Sequence, residues 1–81
     1  MAQVRLEVLV EPVRENDPGE HVLSALRVLE GHGLTVEMGP FASTVEGDLA
    51  TVASAVGEMI ASSVDAGASA LQFRVERLDA T

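Results

Sequence analysis

The chain has 81 residues, which suits one small domain spanning positions 1–81. It has no cysteine and only two aromatic residues, although 47% of it is apolar, so disulfides and thiolate zinc sites are excluded. No apolar run approaches the roughly 18 to 20 residues that span a bilayer, and no basic stretch with an apolar segment opens the chain. We therefore expect a soluble cytoplasmic protein that does not insert into membranes.

The charge balance narrows the possible partners. Thirteen acidic residues stand against five basic ones, giving a formal net charge of −8. Binding to nucleic acid depends on clustered lysine and arginine, so it is not expected here. A cationic or amine-bearing partner suits the acidic chain better, although acidic surfaces also serve solubility. A carboxylate therefore indicates a site only through its position.

The first half of the chain predicts a strand followed by a helix. Residues 4–11 alternate apolar and polar side chains, which is typical of a strand with one buried face. Asp17 and Pro18 mark a helix start, with Asp17 as the N-cap, and Gly31 or Gly33 can end this helix after about His32. The predicted apolar positions of the helix are Val22, Ala25, Leu26 and Leu29.

The second half predicts two strands, a helix and a last strand. The strands run from Leu34 to Met38 and from Phe41 to Glu46, joined by a Gly-Pro turn. Asp48 is suited to cap a helix over residues 49–66, and a strand over residues 69–77 follows. The expected apolar stripe of this helix is Leu49, Val52, Ala53, Val56, Met59, Ile60 and Val64. The last strand is expected to bury Leu71, Phe73 and Val75.

The order βαββαβ predicts an α+β, ferredoxin-like fold with a four-stranded antiparallel sheet and two helices on one face. Right-handed crossovers place the first and third strands in the middle of the sheet. The face without helices then carries mostly charged and hydroxyl side chains. From the four strands we expect on it Arg5, Glu7, Leu9, Glu11, Thr35, Glu37, Ala42, Thr44, Glu46, Gln72, Arg74 and Glu76.

Residues 29–48 carry a resemblance to a known family. The segments are His32-Gly33-Leu34, then Pro40-Phe41-Ala42-Ser43-Thr44-Val45-Glu46-Gly47-Asp48, and later Gly67-Ala68. Their order and spacing resemble the small thiamine-binding proteins of the ferredoxin-like fold, and the likeness extends over nearly the whole chain. Phe41-Ala42-Ser43 stands where that family has Met-Gly-Thr. The resemblance implies a non-catalytic protein that binds thiamine or its hydroxymethylpyrimidine part.

The candidate ligand site follows the third strand. Thr44 and Glu46 point the same way, and Glu11 stands on the neighbouring strand, so these side chains suit a small heteroaromatic cation such as thiamine. We add Ser43 and Phe41, a hydroxyl and a ring that would stack on the ligand. Most of these residues also have an interpretation that involves no ligand. Ser43 and Thr44 suit a strand, Phe41 suits the core, and Glu46 would pair with an arginine across the sheet.

Other functions have less support in the sequence. His21 and His32 lie eleven residues apart, which is not the spacing of a helical metal pair, so no metal site and no cofactor are expected. We find no catalytic triad and no phosphate-binding glycine loop, so we expect no enzyme. Two alternatives stay open: a regulatory module that senses an amino acid or another metabolite, and a structural oligomer without ligand. The small core and the edge strands favour a homodimer or homotetramer.

Overall fold

The predicted order of elements is the order found in a computed structural model, which describes residues 2–14, 17–40 and 42–78. The elements are β1 (Gln3–Glu11), α1 (Gly19–Gly31), β2 (Glu37–Met38), β3 (Ser43–Asp48), α2 (Leu49–Asp65) and β4 (Ala70–Arg77). The strands form one antiparallel sheet in the order β2-β3-β1-β4, so β1 and β3 are central as predicted. The fold is the α+β ferredoxin-like arrangement.

The core lies between the sheet and the two helices. Alternate residues of β1 are almost completely buried, and Leu6 has no exposed surface. Side chains from both helices pack on them because each helix carries one apolar stripe. The buried core consists of Val4, Leu6, Val8, Val10, Ala25, Leu29, Leu34, Val45, Val52, Ala55 and Met59. The other face of β1 is left for polar residues.

The predicted second and third strands are wrong at their ends. β2 contains only Glu37 and Met38, because the preceding residues close α1: the N–H of Leu34 donates to the carbonyl of Leu29 at 3.2 Å. The buried Leu34 side chain then lies against Gly47, where an added Cβ would stand 2.8 Å from Leu34 Cδ2. β3 runs two residues beyond Glu46, through Asp48.

The start of α1 also differs from the prediction. Asp17 is not the N-cap; Pro18 holds that position, and the Asp17 carboxylate accepts a hydrogen bond from the N–H of Gly19 at 3.1 Å. His21, which no pattern marked as buried, is 3% exposed, and its Nε2 lies 2.6 Å from the carbonyl oxygen of Pro12. Donation from the ring N–H to this carbonyl ties the loop after β1 to α1.

The edge strand β4 is less covered than the sequence suggested. Val75 is 52% exposed and not buried, and Leu71 and Phe73 are half-buried. The predicted apolar stripe of α2 is also partly wrong. Leu49, Ala53, Ile60 and Val64 are exposed, whereas Ala55 and Ser63 are buried. The helices cover the two central strands and leave the outer side of β4 open.

Asp48 joins β3 to α2 and caps the helix, as predicted. Its carboxylate accepts from the N–H of Thr51 at 3.2 Å and from the Thr51 hydroxyl at 2.7 Å. The hydroxyl hydrogen bond, followed by the backbone one, lowers the pKa of Asp48 below its ordinary value of 3.8. Because β3 ends at the capping residue, the helix start fixes the position of the strand.

We expect Asp48→Ala to lower the melting temperature and Asp48→Asn to preserve most of it, because asparagine also caps helices well. The lowered pKa adds a pH dependence. A carboxylate with a folded pKa below its unfolded pKa stabilises fully above the unfolded value, near 3.8, and loses that contribution as pH falls through the folded value. Thermal unfolding from pH 7 down to pH 2 checks this. A constant stability difference between wild type and Asp48→Asn across that range would contradict it.

Candidate functional site

The open face of the sheet is acidic. The pairing register places side chains of all four strands on it in rows, with Glu46 opposite Arg5 and Arg5 opposite Glu76. The next row joins Glu37, Thr44, Glu7 and Arg74 across the sheet. Five glutamates and two arginines of the strands lie on this face, so carboxylates outnumber cationic side chains there.

Arg5 holds the centre of this face. Its Nη2 and Nε lie 2.9 Å and 3.0 Å from the same oxygen, Oε2 of Glu46, and its Nη1 lies 3.3 Å from Oε1 of Glu76. The hydrogen bond to Glu46 is the main reason that the pKa of Arg5 is raised. The cross-strand pairing of Glu46 with an arginine, one of the two interpretations of the sequence, is therefore present. It engages one carboxylate oxygen of Glu46.

Arg74 extends the network towards the edge of the sheet. Its Nη1 lies 3.2 Å from Oε1 of Glu76 and 3.5 Å from Oε1 of Glu7. These side chains are well exposed, so each pair contributes little to stability. These ion pairs restrict where the side chains lie, because Glu76 is shared between Arg5 and Arg74.

A depression of about 250 Å³ lies beside this network, between β3 and the chain leading into β2. Thr35, Glu37, Thr44, Val45 and Glu46 line it. The carboxylate of Glu37 has no hydrogen bond or ion pair with any residue in the described ranges. The depression therefore combines two carboxylates and two hydroxyls. Glu37 has no partner among the described residues, one oxygen of Glu46 is bound by Arg5, and the hydroxyls belong to Thr35 and Thr44.

The structure brings together only part of the predicted site. Thr44 and Glu46 line the acidic depression, whereas Ser43 points to the helix side and Glu11 lies at the far end of β1, where it accepts from Gln72 at 2.9 Å. Phe41 falls outside the described residues. Thr35 and Glu37 belong to the depression, although the sequence argument placed them only on the same face. The sequence signal for them was the alternation of apolar and polar side chains over residues 34–38.

Ser43 lines a different pocket. This pocket has a volume of about 240 Å³, lies on the helix side of the sheet and is mostly apolar. Its charged residue is Arg14, which makes it unsuited to a cation. Its lining residues are Val10, Val13, Arg14, Pro18, Val22, Met38, Gly39, Pro40 and Ser43. Of the two, the acidic depression is the one that suits a positively charged ligand.

Among residues 2–14, 17–40 and 42–78, no three histidine, cysteine or acidic residues are grouped to hold a metal ion. Neither helix within those ranges has the length and apolar character to cross a bilayer. The described part of the chain is thus a small ferredoxin-like domain with one open acidic sheet face.

The model of the thiamine-binding protein family matches residues 6–78. The chain therefore belongs to the thiamine-binding protein family, as the residues around the β2–β3 turn indicated. A search of curated proteins finds no match.

Three solved structures are similar to the chain. One is a domain of unknown function from Bacillus cereus, with 28% identity and a TM-score of 0.69, covering 96% of this chain and 77% of that one. A Thermotoga maritima protein assigned provisionally to thiamine biosynthesis or salvage has 22% identity and a TM-score of 0.68, covering 93% and 81%. A hypothetical protein from Methanocaldococcus jannascii has 21% identity and a TM-score of 0.73, covering 100% and 84%. The last two likenesses concern the fold alone.

Proposed function

We propose that this protein binds thiamine, or the hydroxymethylpyrimidine part of it, in the acidic depression on the open sheet face, and that it does so without catalysing a reaction. Membership of the thiamine-binding family supports the class of ligand. The observation that carries the location is the Glu37 carboxylate, which has no partner among the described residues and lies beside Glu46 and two threonine hydroxyls. Thiamine incubated with the protein should be recovered unchanged, and its conversion to another compound would contradict the non-catalytic part of the proposal.

Charge favours this ligand at this place. Thiamine combines an aminopyrimidine with a positively charged thiazolium ring. The open face carries more carboxylates than arginines in a protein with a formal charge of −8, so a cation is attracted to it. A carboxylate also accepts hydrogen bonds from an amino group, and such charge-assisted bonds are stronger than neutral ones.

The two glutamates differ in their surroundings, and this supports different roles for them. Arg5 binds Oε2 of Glu46, which fixes this carboxylate and leaves its other oxygen for a ligand. Glu37 has no such partner among the described residues and gains one only when a donor or cation arrives. The volume of about 250 Å³ is slightly below the range of about 300 to 1,000 Å³ usual for small-molecule pockets. It therefore suits one ring of the ligand, with the other ring on the exposed face.

The first test replaces the carboxylates by amides. Glu46→Gln and Glu37→Gln should each weaken thiamine binding by about 1 to 3 kcal/mol, the scale for losing a hydrogen bond to a charged group. This corresponds to roughly 5- to 150-fold in Kd. Glu30→Gln is the matched control, because it makes the same change at an exposed position of α1. Isothermal calorimetry measures all four proteins. Equal affinity in the three variants, or no thiamine binding by the parent, would contradict the proposal.

A second test acts in the opposite direction. Arg5→Gln removes a cation from the open face and makes this face one unit more negative. We expect thiamine to bind this variant more tightly than the parent, by a few-fold, because the added negative charge attracts the cationic ligand. Calorimetry at constant ionic strength checks it. Equal or weaker binding by Arg5→Gln would contradict the expectation that the charge of the open face drives binding.

Salt provides a third test that separates the two parts of the ligand. Attraction between the acidic face and the fixed charge of thiazolium is screened as ionic strength rises, with a Debye length of about 10 Å at 0.1 M and 3 Å at 1 M. The affinity for thiamine should therefore fall with added sodium chloride. The affinity for hydroxymethylpyrimidine, which lacks the thiazolium, should change much less. The same salt dependence for both ligands would mean that the thiazolium does not lie on this face.

A further inference from the structure

The proposed function leaves the apolar pocket on the helix side of the sheet without a role. Its walls come from the end of β1 with the loop after it, the start of α1, and the turn between β2 and β3. Its volume of about 240 Å³ suits a body of about one ring, since small-molecule pockets usually have about 300 to 1,000 Å³. The side chains that line it define the chemistry of its ligand.

Two side chains bring hydrogen-bond donors to this pocket without an acceptor of their own. Arg14 and Ser43 line it, and neither the guanidinium nor the hydroxyl has a hydrogen bond or ion pair with a described residue. By contrast, Arg5, Arg27 and Arg74 each bind a glutamate. The pocket therefore offers a positive charge and a hydroxyl to a ligand that accepts hydrogen bonds.

The described acidic residues at the start of α1 do not neutralise Arg14. Asp17 accepts from the N–H of Gly19 at 3.1 Å, and Glu20 binds Arg27. No acidic residue is among the described residues that line the pocket. Arg14 also lies beside the first turn of α1, because its Nη1 would stand 3.4 Å from a Cβ on Gly19. The start of a helix carries a partial positive charge, so an anion beside Arg14 is attracted by both.

Apolar side chains stand exposed at the rim of the same pocket. Val13, in the loop after β1, is 44% exposed, and Met38, at the end of β2, is 60% exposed. Removal of such surface from water favours the binding of an apolar body. An occupant with one apolar part and one negative charge therefore matches both the rim and the donors. The other apolar residues of the lining are Val10, Pro18, Val22 and Pro40.

Hydrogen bonds hold the walls of the pocket in place. The buried His21 has its Nε2 2.6 Å from the carbonyl oxygen of Pro12, so the loop that carries Arg14 is bound to α1. On the opposite side, the N–H of Gly39 donates to the carbonyl of Ala42 at 2.8 Å and closes the turn between β2 and β3. A pocket with fixed walls loses less conformational entropy when a ligand binds.

We infer that this pocket is a second binding site, specific for a small organic carboxylate with an apolar body of about one ring. The guanidinium of Arg14 donates to the carboxylate, and the hydroxyl of Ser43 supplies a further donor. Ser43 and Thr44 are neighbours on β3 and point to opposite sides of the sheet, so the site is separate from the acidic depression. A carboxylate can bind here whether or not thiamine binds on the open face.

Benzoate, benzamide and benzamidinium test the charge preference, because they share one ring and differ in charge. Each is titrated into ¹⁵N-labelled protein, and the amide signals are followed by nuclear magnetic resonance. Benzoate should shift the signals of Val13, Arg14, Val22 and Ser43 and leave that of Glu37 in place. Its affinity should exceed that of benzamide by about 10-fold, the scale of a hydrogen bond to a charged group. Benzamidinium should not shift the four signals.

Substitutions then test the donors. Arg14→Gln should remove the preference for benzoate over benzamide, and Ser43→Ala should weaken benzoate binding by a few-fold. Arg27→Gln is the matched control, because it makes the same change on α1 outside this pocket, and it should keep the preference of the parent. The dispersion of the amide signals verifies that each variant is folded. The comparison of ligands in the parent decides the matter if Arg14→Gln does not fold.

Three results would overturn this assignment. They are equal affinity of the parent for benzoate and benzamide, unchanged benzoate affinity in folded Arg14→Gln, and no benzoate-dependent shift of the signals from the pocket.

Discussion

The burial of one face of β1 is the constraint on which the rest of the structure depends. Val4, Leu6, Val8 and Val10 lie under two helices and are at most 7% exposed. Because successive residues of a strand point to opposite faces, the positions between them must face outwards. Arg5, Glu7 and Glu11 therefore lie on the open face. A shift of β1 by one residue would bury these charges, so the core fixes the open face as firmly as it fixes itself.

The charges of that face are arranged in a particular order. The two arginines each bridge two glutamates, and Glu76 is shared between them. Exposed pairs of this kind add little stability, but a shared row limits where each side chain can lie. Glu37 takes no part in these ion pairs, and its carboxylate has no partner among the described residues. In the proposed function, a cation binds to this face without a large rearrangement of these side chains.

The sequence predicts features that depend on neighbouring residues better than features that depend on tertiary contacts. The alternation in β1 and the capping residue Asp48 are local, so the fold class, the strand order and the faces were predicted correctly. The length of β2 was not, because Leu34 is bound to the end of α1 and packs against Gly47 of β3, and the strand pattern shows neither contact. Val75 has a strand pattern that predicts burial, but its burial depends on whether a helix reaches the edge of the sheet.

The site shows the same limit. Thr44 and Glu46 were placed together because they are two residues apart on one strand. Ser43 was added as a neighbouring hydroxyl, and the alternation of side chains along the strand puts it on the helix side of the sheet, where the structure has it. The role of Glu37 depends on which glutamates the arginines of β1 and β4 bind, and this follows from the register of three strands. A sequence with several possible pairings does not identify the carboxylate that is left over.

The location of the ligand is the central claim, and a titration followed by nuclear magnetic resonance tests it most directly. Thiamine added to ¹⁵N-labelled protein should shift the amide signals of Thr35, Glu37, Thr44 and Glu46. The signals of Val13, Arg14 and Val22, which line the apolar pocket on the helix side, should stay in place. Shifts centred on that second group, with the open face unchanged, would contradict the account.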